Sequence, residues 1–552
     1  MIPLPTAAEM RALDEDTIRK IGVLGGVLME SAGRGVVSVL HDLHRQGRFD
    51  LRTTQILVVA GPGNNGGDGM VIARYLHEQG TRCELWIVAE RSRVRGDALL
   101  HLAAAEASGV NPHFCDGDSP AFHSRLASIT ERDLLVDSLL GTGLSRSVTG
   151  GLKSVIGAIN DCRAYVVAVD LPSGLDADRG IPSDAPPHPV IVRASVTVTL
   201  GFPKLGLVSA PGFVHAGEVF VADIGIPASL CAQHQVAAQL LDAGVLNRLL
   251  APRSPLGHKG SHGHLLLVAG SPGKLGAAVL STEAALRTGV GLCTLAAPQI
   301  ALDGSLGSRC PEAMTVPYSL SDGNVLDWLL PALVGKTALA VGPGLAPVAA
   351  VRSLLQELLV RCQQPLVLDA EALNQLVGDE HLLKERTRLG RMTVLTPHPG
   401  EAARLLSTSS AAIQADRVAA ARALAEKTGA VVLLKGARTV IVDGSSTTGA
   451  ALPLAVVPTG NAGMGSGGMG DVLTGMIGAL LATGWTTFDA ACAAAYWHGL
   501  AGDLASQGRA PSSIVLATEV ISQLDEARKR ARQQASRRPP WPILPLHWAA
   551  GA

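Results

Sequence analysis

The most constraining feature of this sequence is a recurring unit. A short unbroken apolar run ends in a turn of glycine, asparagine or aspartate, and a helix-patterned segment follows. Ile56-Leu57-Val58-Val59-Ala60 runs into Gly61–Gly69, Leu134-Leu135-Val136 into Asp137, and Val166-Val167-Ala168-Val169 into Asp170. The unit returns at His264–Ala269, Leu339–Val341, Leu366–Leu368, Val394-Leu395 and Val431–Leu434, which lead into Gly270, Gly342, Asp369, Thr396 and Lys435. A strand with one wet face alternates apolar and polar residues; these runs do not alternate, so both faces are buried. Such strands build parallel sheets covered by helices, and ligands sit outside the strands' carboxyl ends. The expected fold class is α/β, with the chemistry-bearing residues just after each strand.

At 552 residues the chain exceeds one hydrophobic core, and two or three domains are expected. Lys and Arg total 46 against 47 Asp and Glu, and aromatics are 3%, so neither a phosphate-tracking face nor a base-stacking platform is indicated. Nucleic acid is therefore not an expected partner. No apolar run approaches the roughly 20 residues that cross a bilayer, so no membrane is expected either. Met1–Asp16 carries Glu9, Asp14, Glu15 and Asp16 and no apolar segment, unlike a signal peptide. The eight cysteines form no C-x-x-C pair, which argues against a zinc site or disulfide framework and for a reducing cytoplasm.

Two glycine-rich turns stand out. From Gly460 to Gly470 six of eleven residues are glycine, then come Asp471 and an apolar helix expected over Val472–Leu481. Bare N–H groups can crowd an anion there, the helix start adds positive charge, and Asp471 provides a base beside it. In the first half, Gly61-x-Gly63-x-x-Gly66 matches a dinucleotide fingerprint, with a loop expected to Gly69 and a helix from Met70. The insert Asn64-Asn65-Gly66-Gly67-Asp68 adds two amides and a carboxylate, oxygens suited to a hard cation or a ribose. Asp68, Asp137 and Asp170 could meet in one crevice, or each could cap its own turn. Gly344, Asp369, His398, Lys435 and Asp471 would meet in a second. Lys435-Gly436 suits a phosphate, whereas His398, between two prolines, fits a turn as well as a ligand contact. His258, His262 and His264 lie close together without an acid or cysteine, a poor metal set. A helix is expected over Ala237–Leu250, and Ala277–Thr288 forms another.

The motifs also carry a resemblance. Gly-Pro-Gly-Asn-Asn-Gly-Gly-Asp-Gly (61–69), Val-Asp-Ser-Leu-Leu-Gly-Thr-Gly-Leu (136–144) and Val-Asp-Leu-Pro-Ser-Gly-Leu-Asp (169–176) resemble the NAD(P)H-hydrate epimerase domain across residues 6–228. The resemblance implies a Rossmann-like doubly wound sheet. It implies that Asn64, Asn65, Gly66, Gly67 and Asp68, with Gly141, Thr142, Gly143, Leu144, Ser145, Arg146 and Ser147, contact a hydrated dinucleotide. It further implies that Asp170 faces the reacting end as acid or base, and that Asn65, Asp137 and Ser173 ligate K⁺.

Across residues 236–525 the Gly460–Asp471 stretch and the strand-end turns are similar to the ADP/ATP-dependent NAD(P)H-hydrate dehydratase, a ribokinase-like α/β sandwich. Gly465 stands where that family usually has alanine. By this resemblance Ala277, Gly344, His398 and Asp471 contact the hydrate. Lys435, Gly436, Ala437, Arg438, Thr439 and Gly470 would hold ADP, accompanied by Mg²⁺. The implied layout is an epimerase domain at 1–229, a dehydratase domain at 236–527 and a basic, proline-rich tail at 528–552. The implied activity is repair of hydrated NADH and NADPH by a cytoplasmic homo-oligomer that epimerises the R and S forms and dehydrates the S form with ADP. A ribokinase-like small-molecule kinase fused to a dinucleotide sensor is the alternative.

Overall fold

The computed structural model describes residues 1–302, 309–319, 325–446, 451–510, 512–536 and 543–545. The chain divides into two compact units, one built on Ile2–Ala238 and the other on Gln239–Arg537.

In the first unit seven strands run in the order β3-β2-β1-β4-β5-β6-β7, every neighbouring pair parallel. They are β1 (Ile56–Ala60), β2 (Cys83–Val88), β3 (His113–Cys115), β4 (Leu134–Ser138), β5 (Tyr165–Val169), β6 (Val196–Leu200) and β7 (Glu218–Ala222). This is a doubly wound, Rossmann-like sheet whose order reverses between β1 and β4, the place where such sheets open a crevice. Ile56, Val58 and Ala60 join one core and Leu57 and Val59 the other, as the unbroken apolar run requires. Ile543–Pro545 adds an antiparallel edge strand on β7.

The helix after β1 spans Asn64–Glu78 and so begins six residues before Met70. The glycines are packing devices here. A Cβ on Gly66 would lie 1.8 Å from the Gly61 carbonyl oxygen, one on Gly67 2.4 Å from Met29 Sδ, and one on Gly69 2.1 Å from Ser138 Oγ. The low helix propensity of these residues is outweighed by pressing the first turn onto the strand ends. Helix Ala7–Asp16 begins at a capping box of Thr6 and Glu9.

The expected helix over 237–250 is replaced by a strand at Ala238–Leu240, a 3₁₀ turn at Ala243–Leu246 and one helical turn at Asn247–Leu250. Asp242 explains the break: its carboxylate accepts from Gly244 N–H at 2.8 Å and starts a new turn.

In the second unit nine strands follow one another in the order β16-β15-β14-β13-β12-β11-β8-β9-β10. They are β8 (His264–Val268), β9 (Leu292–Pro298), β10 (Met314–Tyr318), β11 (Ala338–Val341), β12 (Leu366–Leu368), β13 (Thr393–Leu395), β14 (Val431–Leu434), β15 (Val440–Asp443) and β16 (Leu454–Val456). Seven run parallel, five of them the expected apolar runs and the other two β9 and β10; β15 and β16 are antiparallel additions. Val341, Leu368 and Leu395 stand in register, so Gly342, Asp369 and Thr396 leave the sheet along one edge. The core on one face is closed by helices Leu275–Thr288, Met469–Ala482 and Thr487–Ser506. Two of these helices touch closely, since a Cβ on Gly475 would meet Ser281 O at 2.1 Å. The basic run from Arg528 continues helix Ala517–Ser536 because Leu524, Ala527 and Ala531 keep one face in the core. No helix among the described residues is long and apolar enough to cross a membrane.

Candidate active sites

In the first unit, Asp137 and Ser173 bond to each other at the reversal between β1 and β4, and Asn65 joins them through the Leu140 carbonyl, to which Ser173 Oγ also donates at 3.4 Å. Asp137 accepts from Ser173 N–H at 2.8 Å and Ser173 Oγ at 2.6 Å, and Asn65 Nδ2 donates to Leu140 O at 3.0 Å. Asp137 and Ser173 are fully buried. Burial pushes the Asp137 carboxyl up to about 6 against those hydrogen bonds, and no cationic side chain among the described residues is a cause that opposes the rise. A buried carboxylate beside neutral hydroxyl and amide oxygens is a donor set that can take a cation with oxygen ligands. Among the described residues no group of three His, Cys, Asp or Glu side chains can hold a metal.

Asp170 follows β5 in the left-handed region, with φ 65°. A non-glycine residue there is strained and must be held in place. Its N–H donates to Val198 O at 2.8 Å, and its Oδ1 accepts from Lys204 Nζ, from Leu200 N–H at 3.2 Å and from Thr199 Oγ1 at 3.3 Å. Lys204 is 1% exposed, and its ammonium also donates to Leu200 O at 2.9 Å and Thr199 Oγ1 at 3.2 Å. Two more carboxyls feel this pair. Burial, then Asp170 and Asp14, hold Asp68 well above the usual carboxylate range, with Lys204 opposing. Burial raises Asp14 to about 6, with Lys204 opposing and Asp170 adding.

Of the Asn64–Asp68 run, Asn64 is exposed and Asn65 half-buried, whereas Gly66, Gly67 and Asp68 are buried. The turn Gly141–Ser147 brings Gly141 against Asn65, exposes Gly143, Ser145 and Arg146, and leaves Thr142 and Leu144 half-buried. Ser147 is tied by its N–H and Oγ to Asp184.

In the second unit Asp471 is the third residue of helix Met469–Ala482, whose preceding residue Gly468 has φ 91°. The glycine-rich stretch is anchored rather than loose. Gly460 N–H and Asn461 Nδ2 donate to Asp503 at 3.0 Å each, Val515 N–H donates to Gly463 O, and Ser466 Oγ donates to Val515 O. The N–H groups of Gly467 to Asp471 meet no acceptor among the described residues. They are the orphan donors of a helix start, which an anion can satisfy.

Lys435 stands opposite these amides. Its Nζ lies 2.6 Å from Asp369 Oδ1, and 3.2 Å from where a Gly470 Cβ would be. Thr474 Oγ1 donates to Asp369 Oδ2 at 2.7 Å. Burial raises Asp471 to about 6, Asp369 adding and Lys435 opposing. His398 caps helix Pro399–Leu405: Nδ1 accepts from Gly400 and Glu401 N–H, and Nε2 is 3.3 Å from Glu401 Oε1. Burial, Lys435 and Arg404 hold that imidazole below its usual range. At the β8/β11 reversal, a Cβ on Gly344 would be 2.9 Å from Ala277 Cβ. Thr439 Oγ1 donates to Gly436 O, while Arg438 Nη1 reaches Pro458 O at 2.5 Å. Ala437 is exposed in the same turn.

Comparison with known proteins follows the same division. Residues 25–206 match the family described as YjeF-related protein N-terminus, and 265–526 the family described as NAD(P)H-hydrate dehydratase. The bifunctional NAD(P)H-hydrate repair enzyme of Moorella thermoacetica is 42% identical over 92% of this chain and 93% of its own length. The chain belongs to the bifunctional NAD(P)H-hydrate repair enzymes. The family member from Escherichia coli is 34% identical over 94% of this chain and 92% of its own. A solved ADP/ATP-dependent NAD(P)H-hydrate dehydratase from Bacillus subtilis, co-crystallised with ATP and Mg²⁺, is 30% identical and covers 51% of this chain and 94% of its own, with a TM-score of 0.43.

In this repair enzyme several side chains at the two sites escape a reading of motifs. Lys204 and Asp14 complete the Asp170 cluster, Glu401 and Thr474 the Asp369 cluster, and Asp503 and Arg417 hold the flanking turns. Arg417 is buried and donates to the carbonyls of Leu434 and Lys435. A lone charge inside an apolar stretch is the available signal, as for Lys204 between Phe202 and Leu205.

Glu401 sets a pH dependence. Burial lifts its carboxyl from 4.5 to about 7, with Lys435 opposing and Asp369 adding. The folded form therefore holds this proton more tightly than the unfolded chain. The associated stability is complete below the unfolded value and lost as pH rises through 7, a span worth about 3 kcal/mol. The urea midpoint of the second unit should fall between about pH 5 and about pH 8, and Glu401→Gln should flatten that fall. An equal slope in the variant contradicts the assignment.

Proposed function

We propose that the chain repairs hydrated NADH and NADPH, the first unit interconverting the R and S hydrates and the second dehydrating the S form with ADP. The observation that supports this reading most is the row of unpartnered amides from Gly467 to Asp471, facing Lys435 and ending in a carboxylate. The row suits the terminal phosphate of a nucleotide, and the carboxylate suits a hydroxyl about to attack it.

In the second unit Asp471 takes the proton of the C6 hydroxyl as that oxygen attacks the terminal phosphorus of ADP, releasing AMP. The ring nitrogen lone pair then expels phosphate from C6, and loss of the C5 proton gives the reduced nicotinamide. Lys435 and the Gly467–Gly470 amides hold phosphoryl oxygens. Gly436, Ala437, Arg438 and Thr439 line the nucleotide, and Ala277, Gly344 and His398 line the hydrate. Mg²⁺ would arrive on the diphosphate and spread its charge.

In the first unit Asn64–Asp68 and Gly141–Ser147 bind the dinucleotide, and Asp170 moves a proton at C6. Asn65, Asp137 and Ser173 would hold K⁺, which the uncompensated Asp137 carboxylate favours; that ion would fix the two loops. The proposed boundaries are 1–229 and 236–527, and the basic run from 528 closes the second unit's helix Ala517–Ser536 ahead of the proline-rich end. The eight free thiols fit a reducing cytoplasm, and a homo-oligomer is the assembly proposed.

Hydrated NADH incubated with the protein, ADP and Mg²⁺ should regain the absorbance of reduced nicotinamide from both epimers, and faster with ADP than with ATP. No recovery from either epimer overturns the assignment. Faster recovery with ATP overturns only the choice of nucleotide.

A further inference from the structure

Inverting C6 requires two proton transfers, one on each face of the ring. The hydroxyl must leave as water, drawing a proton, and a second water must add to the opposite face, giving one up. Resting on the epimerase reading, we propose that Asp68 donates the first proton, that Asp170 accepts the second, and that Lys204 is the positioning residue that fixes this division of roles.

The geometry of Lys204 comes first. Its ammonium is buried, and its three protons are matched by three acceptors: Asp170 Oδ1, Thr199 Oγ1 and Leu200 O. Every hydrogen bond to Asp170 falls on Oδ1, so Oδ2 is left to face a reactant. The strained backbone at φ 65° is held at the end of β5 by Thr199 and Leu200 of β6, which donate to Oδ1. Lys204 therefore holds the Asp170 carboxyl in one orientation, with Oδ2 free to accept a proton.

Asp68 is placed differently. It sits on the first turn and a half of helix Asn64–Glu78, 7% exposed, and its carboxyl has no hydrogen-bond partner among the described residues. The charged groups that act on it are Asp170, Asp14 and Lys204. Lys204 makes its direct contact with Asp170, not with Asp68. Burial and the two neighbouring carboxyls hold Asp68 well above the usual carboxylate range, so it keeps its proton and is the group placed to donate one.

The step balances. The C6–O bond breaks as the ring nitrogen lone pair forms C6=N, and the departing oxygen takes the Asp68 proton and leaves as water. A water molecule adds its oxygen to the opposite face of C6 and passes a proton to Asp170. The net change is inversion at C6, exchange of one oxygen with solvent, and one proton moved from Asp68 to Asp170. The reverse reaction moves it back.

The test uses the full-length protein with R hydrate and no ADP, in ¹⁸O-labelled water, with the spontaneous rate subtracted. Wild type should place one solvent oxygen at C6 for each inversion. Asp68→Asn should slow inversion by about 10²-fold, while ADP-dependent dehydration of the S form continues at the wild-type rate. Lys204→Met should lower kcat for inversion by about tenfold with little change in KM, because Asp170 Oδ1 loses the ammonium that holds its carboxyl in place. Lys204→Arg should restore kcat in part. A melting curve checks each variant, and if Lys204→Met is unfolded, Asp68→Asn and Lys204→Arg carry the test. Inversion in Asp68→Asn within about threefold of wild type, an unchanged kcat in folded Lys204→Met, or inversion without label overturns the proposal. Failure of wild type to accelerate inversion instead overturns the epimerase reading itself.

Discussion

Asp471→Asn should lower dehydration of the S hydrate by about 10³-fold while leaving the protein folded. The substitution keeps the shape of the side chain and removes its ability to take a proton. Burial and Asp369 raise the wild-type carboxyl to about 6, so near neutral pH it is mostly ionised and still basic enough to act. The rate in wild type should fall as pH drops through about 6, since the protonated acid cannot accept the hydroxyl proton. Stability should move the other way. A carboxylate raised from 3.8 to about 6 is ionised at a cost in the folded state, so the neutral amide should stabilise the second unit at about pH 8 by about 1–3 kcal/mol. Single-turnover dehydration and urea denaturation on the same preparation check both halves. A variant that is inactive because it is unfolded, or one that keeps its activity, contradicts the role given to Asp471.

The turns at the strand ends were legible because their chemistry is written in consecutive residues. Asp137, Asp170, Asp369 and Lys435 each follow an unbroken apolar run, and strand register alone brings them to one edge of their sheet. The residues that complete the sites were not legible in that way. Asp14 lies on an N-terminal helix far from Asp170 in sequence, and Asp503 lies near the end of a long helix, where an isolated acid reads as a solvated residue. Their roles follow from depth, which residue order does not encode. The helix begins at Asn64 and not at Met70 for a related reason: five glycines among Gly61–Gly69 read as a loop when only propensity is weighed. The close approach that requires them is tertiary. The antiparallel pair β15 and β16 and the break at Asp242 likewise depend on partners remote in sequence.

Gly66→Ala separates these two readings of the first glycine run. If the residue served only as a flexible point in a loop, a methyl group would be tolerated or would stabilise it slightly. Instead the new Cβ would lie 1.8 Å from Gly61 O, 2.6 Å from Gly61 C and 2.9 Å from Gly61 N. All three are backbone atoms at the end of β1, the buried central strand of the sheet, and Gly61 is itself fixed by donating to Ser138 O at 3.1 Å. Neither side can yield by a rotamer change, so the helix start must lift away. That movement displaces Asn64 and Asn65 and loosens the contact of Gly67 with Met29 and of Gly69 with Ser138. The cost should reach at least about 3 kcal/mol, the upper range for overpacking, because rigid backbone is on both sides of the clash. The expected result is a first unit unfolded or strongly destabilised, with acceleration of R-to-S inversion lost. Dehydration of the S form should persist, since Asp471, Lys435 and their supports lie in the other unit. A melting curve resolving two transitions, read beside the two activities, checks this. An unchanged first transition would mean that the helix start has room that the packing at Gly61 denies it.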